Sequence, residues 1–161
     1  MAVTGEMVRI ACEVRPHSSC LVPEKRQELT TEGGLDVAGQ LEKVAAAVEK
    51  LHAAGIVVSL FIDPEFDQLD AAAKAGADYV ELHTGTYSNA VGLIAAAEHA
   101  HKLGLSVNAG HGIDYENIAG ILEIPHLSEL NIGHSIVGRA IMTGMEQAVR
   151  EMLDAMKPYA K

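Results

Sequence analysis

Positive charge is scarce in this chain: 12 lysines and arginines stand against 22 aspartates and glutamates, a formal net charge of −10. That balance argues against nucleic acid and against an anionic membrane surface as partners. An anionic metabolite would have to be held by local backbone N–H groups and a few cations. Cysteine is equally scarce. Cys12 and Cys20 share no metal or redox spacing and read as buried thiols in a reducing compartment. Tryptophan is missing and aromatic residues make up only 4%. Such a core, rich in alanine and valine, suits small-residue helices packed on buried parallel strands. No apolar run reaches membrane-spanning length, and the first residues lack a secretory pattern. A cytoplasmic location is the resulting expectation.

What is present is a hydrophobic content of 48% over 161 residues, enough for one domain (residues 1–161) with a real core and against disorder. The chain reads as repeated strand–helix units. Residues 4–14 are helical, with Thr4 as N-cap. Residues 20–23 form a short buried strand, and 24–35 a polar loop. Asp36 caps a helix to about residue 54, along which Val37, Leu41, Val44, Ala45, Val48 and Leu51 form an apolar stripe. Residues 56–62 are the strongest strand. Asp63-Pro64 opens the next helix, which ends at Gly76. Residues 78–83 are a strand, and about 89–102 a helix. Residues 105–107 and 127–132 are apolar segments separated by a short helix near 115–122. Residues 136–160 are helical in two pieces meeting near Thr143-Gly144. Five strands alternating with helices predict a parallel sheet with right-handed crossovers.

Two runs carry the chemistry: Asn108-Ala109-Gly110-His111-Gly112 and Asn131-Ile132-Gly133-His134. Each ends a strand with glycine and histidine. Glycine lets the backbone approach a ligand, and the helix N-terminus that follows favours an anion. His111 suits general acid–base work. Gly133 and His134 suit a phosphate cradle, against the alternative of a turn that merely needs an unusual glycine angle. Glu81 shares a strand face with His83, opposite to Val80 and Leu82. It serves either a developing positive charge or an ion pair with a neighbouring cation. Thr30 and Thr31, before Glu32-Gly33-Gly34, offer hydroxyls to a phosphorylated substrate, with Lys25 and Arg26 as a solvated charge run. No metal-ligand spacing, P-loop, dinucleotide fingerprint or nucleophile elbow is present. The polar residues follow strand C-termini, where α/β folds bind ligands.

The run Leu21-Val22-Pro23-Glu24-Lys25-Arg26-Gln27-Glu28-Leu29-Thr30-Thr31-Glu32-Gly33-Gly34-Leu35-Asp36-Val37 resembles the signature of the pyridoxine 5′-phosphate synthase family. Val58-Ser59-Leu60-Phe61-Ile62-Asp63, Glu81-Leu82-His83-Thr84-Gly85 and residues 107–112 and 129–136 resemble it as well. The resemblance implies a TIM (β/α)₈ barrel with extra helices, a homo-oligomer (an octamer in the full-length family), and no metal or organic cofactor. It implies condensation of 1-deoxy-D-xylulose 5-phosphate with 3-amino-2-oxopropyl phosphate to pyridoxine 5′-phosphate, phosphate and water. By the same resemblance His111 exchanges protons and Glu81 stabilises a transition state. Thr30 and Gly112 touch substrate, and Gly133 and His134 hold the amino-ketone phosphate.

The family pattern also includes three upstream strands with an Asn-x-Asp-His run, a catalytic histidine, phosphate-binding arginines and a catalytic glutamate, none of which is in this sequence. The stretch between Tyr87 and Leu103 is shorter than in the family. A complete barrel takes about 250 residues, so the chain reads as its C-terminal part, a partial barrel of about five βα units. Edges near Cys20 and Leu130 would then be left to associate. Two further readings stay open. One is a catalytically incomplete half-barrel that only binds phosphate esters. The other is a complete doubly wound domain, which strand order would decide.

Overall fold

The computed structural model describes residues 1–24, 33–85 and 90–157. Thr30, Thr31, Lys25 and Arg26 lie outside the described residues. The backbone forms one sheet from β1 (Ser18–Leu21), β2 (Val57–Ile62), β3 (Tyr79–His83), β4 (Ser106–Gly110) and β5 (Leu127–Asn131). All neighbouring pairs are parallel, and spatial order follows chain order. A doubly wound sheet reverses its order at a switch point. This sheet never does, so the doubly wound reading is overturned and the fold is an arc of a (β/α)₈ barrel.

The helices are α1 (Gly5–Val14), α2 (Leu41–Ala53), α3 (Phe66–Lys74), α4 (Ala90–Lys102), α5 (Ile118–Ile121), α6 (His134–Thr143) and α7 (Met145–Met156). Thr4 Oγ1 accepts from Met7 N at 3.2 Å, which caps α1 as expected. Asp36 caps less than the sequence suggested. It accepts from Gly39 N at 2.9 Å and starts a short 3₁₀ turn, Ala38–Gln40, after which α2 begins. Helix α3 starts at Phe66 rather than Pro64, because the chain first turns with Glu65 N donating to Asp63 O at 2.8 Å. Gly144, at φ 84, separates α6 from α7.

The pleat sorts side chains strictly. Leu21, Val58, Leu60, Ile62, Val80, Leu82 and Val107 point to one face and are completely buried in the hydrophobic cluster that the helices complete. Each contributes about 1.5–3 kcal/mol by leaving water. Register places Cys20 beside Ser59, and Phe61, Glu81, Asn108 and Glu129 in one row of the opposite face. The second face, which would line a barrel's interior, is therefore polar. The sheet also extends past β1: Ala2 makes a parallel bridge to Val22, and Val22 N donates to Met1 O at 3.0 Å.

Candidate active site

Glu81 leaves the middle of β3 into this polar face. Its Oε2 accepts from Asn131 Nδ2 at 3.0 Å and faces the Cys20 thiol at 3.6 Å. Burial pushes the Glu81 carboxyl pKa up, and the charge of Glu129 adds to the rise, while the Cys20 and Asn131 hydrogen bonds work against it. Burial, reinforced by the Glu81 charge, pushes the Cys20 thiol up to about 12. Cys20 is therefore a neutral donor near neutral pH. Among the described residues Glu81 makes no ion pair.

Strand β4 runs further than its apolar start suggested. Asn108, Ala109 and Gly110 belong to the strand, and the turn begins at His111. A β-carbon on Gly110 would stand 2.1 Å from Glu81 Oε1, so the carboxylate lies directly over that Cα. His111 takes φ 68, a left-handed backbone costing an L-residue roughly 1–2 kcal/mol. Thr84 holds the turn, donating from Oγ1 to the His111 carbonyl and from N to Gly110 O at 3.0 Å. Strain of this kind, held by a specific tether beside a titratable ring, points to function.

The His111 ring centroid lies 5.0 Å from that of His83 and 6.3 Å from that of Phe61. His83 is 1% exposed, and its Nδ1 meets Asp63 Oδ1 at 2.9 Å. Gly112, at φ 74, backs onto the β3 loop: a β-carbon there would meet Gly85 Cα at 2.8 Å.

Gly133 and His134 start α6, and no side chain caps that end. The first N–H groups of the helix are thus left to an anion. Gly133 has φ −124 and no neighbour within 4 Å of a β-carbon position, so its backbone angle does not require glycine. Open space for a close approach accounts for it better. Ser135 Oγ donates to Ile113 O at 2.7 Å and pins this end to the loop after β4.

Glu81, His111, Gly112, Gly133 and His134 therefore share the C-terminal rim. The links are Asn131 on Glu81, the pairing of Gly110 with Asn131, and Ser135 on Ile113. Sequence reasoning missed three partners. Asp63 looked like a helix opener, Asn131 part of a turn, and Cys20 plain core. Inward alternation on adjacent strands was the signal for each. His83 Nε2 and Asn108 Oδ1 are buried without a hydrogen-bond partner among the described residues, and both stand on strand positions of the polar face. Native cores rarely leave such atoms idle. A hollow of about 320 Å³ lies elsewhere, lined by Asp114, Tyr115, Glu116, Arg139 and Glu151. It holds none of these groups.

A parallel barrel arc with a carboxylate on its polar face and an imidazole and an uncapped helix end at its C-terminal rim is the arrangement of a barrel enzyme. Residues 1–158 match the family profile of the pyridoxal phosphate biosynthesis protein PdxJ. The chain is 57% identical over 162 residues to the pyridoxine 5′-phosphate synthase of Idiomarina loihiensis, covering 94% of this chain and 67% of that protein. Among solved structures it is similar to the Amycolatopsis orientalis BexX/CysO complex, with TM-score 0.59, 21% identity, and coverage of 92% of this chain and 61% of that one. That likeness speaks for fold alone. The chain belongs to the PdxJ family, whose place is vitamin B6 biosynthesis. It spans about two thirds of the length of these relatives.

Proposed function

We propose that the chain provides the second half of a pyridoxine 5′-phosphate synthase site. That site would join 1-deoxy-D-xylulose 5-phosphate to 3-amino-2-oxopropyl phosphate, releasing phosphate and water. The observation that carries this reading is the Glu81 carboxylate lying over Gly110, the residue before His111, on the sheet whose last strand leads to the uncapped start of α6. His111 moves protons during ring closure. Glu81, desolvated and with no cation paired to it among the described residues, stabilises positive charge as it develops on the amine-derived nitrogen. Gly112 and Thr30 contact substrate. Gly133 and His134 hold the amino-ketone phosphate on backbone N–H groups.

Exposed Val137, Ile141 and Met142 on α6, at 55%, 81% and 84%, favour self-association of the one-domain chain into a homo-oligomer. The thiols Cys12 and Cys20, both free, suit a reducing cytoplasm. The test is turnover of the two substrates by this chain mixed with a polypeptide carrying the first strands of a longer relative. Pyridoxine 5′-phosphate formed by the mixture supports the reading, and none from a properly assembled mixture overturns it.

A second reading is favoured by the uncapped start of α6, which offers N–H groups to an anion with no proton-transfer step required. The chain would then be a catalytically incomplete half-barrel that binds phosphate esters and turns nothing over. Shifts of the His134 and Ser135 amides on adding a sugar phosphate, without product in the mixture, would favour it.

A further inference from the structure

We propose that His83, anchored by Asp63, is a positioning residue for His111, setting where the His111 ring points and which of its nitrogens carries the proton. The proposal rests on the reading of His111 as the site's proton carrier. Asp63 ends β2, His83 ends β3 and His111 follows β4, so three adjacent strand ends bring carboxylate, imidazole and imidazole into one line. The Asp63 contact is 2.9 Å and the two rings are 5.0 Å apart, tilted by 57°. A carboxylate accepts, so the shared proton sits on Nδ1 of His83, and in the neutral ring Nε2 presents a lone pair.

That Nε2 is buried and has no hydrogen-bond partner among the described residues. Both rings converge on the space that Gly85 leaves open: a β-carbon there would be 2.8 Å from His111 Cδ2 and 3.0 Å from His83 Nε2. Phe61 stands edge-on to both rings, at 5.1 and 6.3 Å, and keeps that side dry. A desolvated lone pair without a donor is costly. The charged or titratable neighbours of this pair are Asp63 from β2, Glu81 from the same face of β3, and, beyond Glu81, Cys20 from β1. A histidine whose far nitrogen is held by a carboxylate has a fixed tautomer and a fixed ring plane, and His83 passes both constraints on.

Ring-nitrogen NMR of the ¹⁵N-labelled chain tests this without substrate. The His83 proton shared with Asp63 is expected on Nδ1. In Asp63→Ala, which leaves Nδ1 no acceptor, the Nδ1-protonated form of His83 should lose its dominance, and the tautomer balance of His111 should shift with it. Asp63 is 35% exposed in its side chain, so this variant perturbs the fold less than a change at His83. A wild-type spectrum with the His83 proton on Nε2 overturns the proposal. So does an Asp63→Ala chain that keeps its fold and leaves the His83 and His111 tautomers unmoved. Failure of turnover with the expected nitrogen spectrum counts against the synthase reading alone.

Discussion

Asn131 at the end of β5 donates to Glu81 on β3 at 3.0 Å, reaching across the whole of β4. Two strands apart, these side chains meet only because Gly110 lies between them and has no side chain. The Gly110→Ala methyl would stand 2.1 Å from Glu81 Oε1. The end of a glutamate can swing aside, and alanine regains about 0.5–1 kcal/mol of glycine's backbone entropy within a strand. Stability should therefore change by less than about 1 kcal/mol. Function should not survive so well, since misplacing a reacting group by about 1 Å costs on the order of 100-fold. Urea midpoints and synthase turnover of the reconstituted barrel, measured on the same variant, check that separation.

Asp78 gives the opposite pattern. Its Oδ2 accepts from Val58 N at 2.7 Å and faces His52 Nε2 at 2.8 Å. Val58 is fully buried, so Asp78→Ala leaves its N–H without a partner. The expected loss is about 1–3 kcal/mol, read as a lower urea midpoint. Asp78→Asn, which keeps an accepting oxygen, should recover most of it. Equal losses in the two variants would show that the acceptor is not what matters.

The fold was legible wherever periodicity and burial agree. Val58, Leu60 and Ile62 alternate with Val57, Ser59 and Phe61, and the strand appeared where it was read, within one residue. Thr4, Gly55 and Gly144 marked helix ends through local chemistry that needs no tertiary contact. The placing of Glu81 and His83 on one face followed from the two-residue repeat alone. Partnerships across strands were not legible, because register decides them. That Cys20 and Asn131 both reach Glu81 depends on β1 and β5 lying on either side of β3, and no local pattern encodes it. Asp63 was misread for a related reason. Asp-Pro is a helix-start signal, and here the carboxylate was taken by His83 instead.

The burial of Glu81 sets a pH dependence with a definite sign. Its pKa is raised in the fold. Between the unfolded and folded values the native state binds more protons than the unfolded one. The contribution of Glu81 to stability is thus fully present below the unfolded pKa and is lost as pH rises through the folded value. Glu81→Gln, which does not ionise, removes that fall. Stability curves of wild type and Glu81→Gln should lie together in acid, apart from a constant offset, and the variant should gain on wild type toward neutral pH. Parallel curves across that window would mean that the carboxyl is not desolvated in solution.

Cys20 offers a probe of the same contact from the other side. Its thiol is shifted from 9.0 to about 12. Only the thiolate attacks an alkylating agent, and three pH units leave about a thousandfold less of it than in an ordinary thiol. Iodoacetamide should therefore spare Cys20 in the native chain at neutral pH and label it readily in urea. The Glu81 charge is the second cause of the shift, after burial. Glu81→Gln should accordingly speed native labelling of Cys20, while Asn131→Ala, which leaves that charge in place, should not. Cys20 labelling that is fast in the wild-type chain, or indifferent to Glu81→Gln, would place the thiol away from the carboxylate and undo the account of how Glu81 is held.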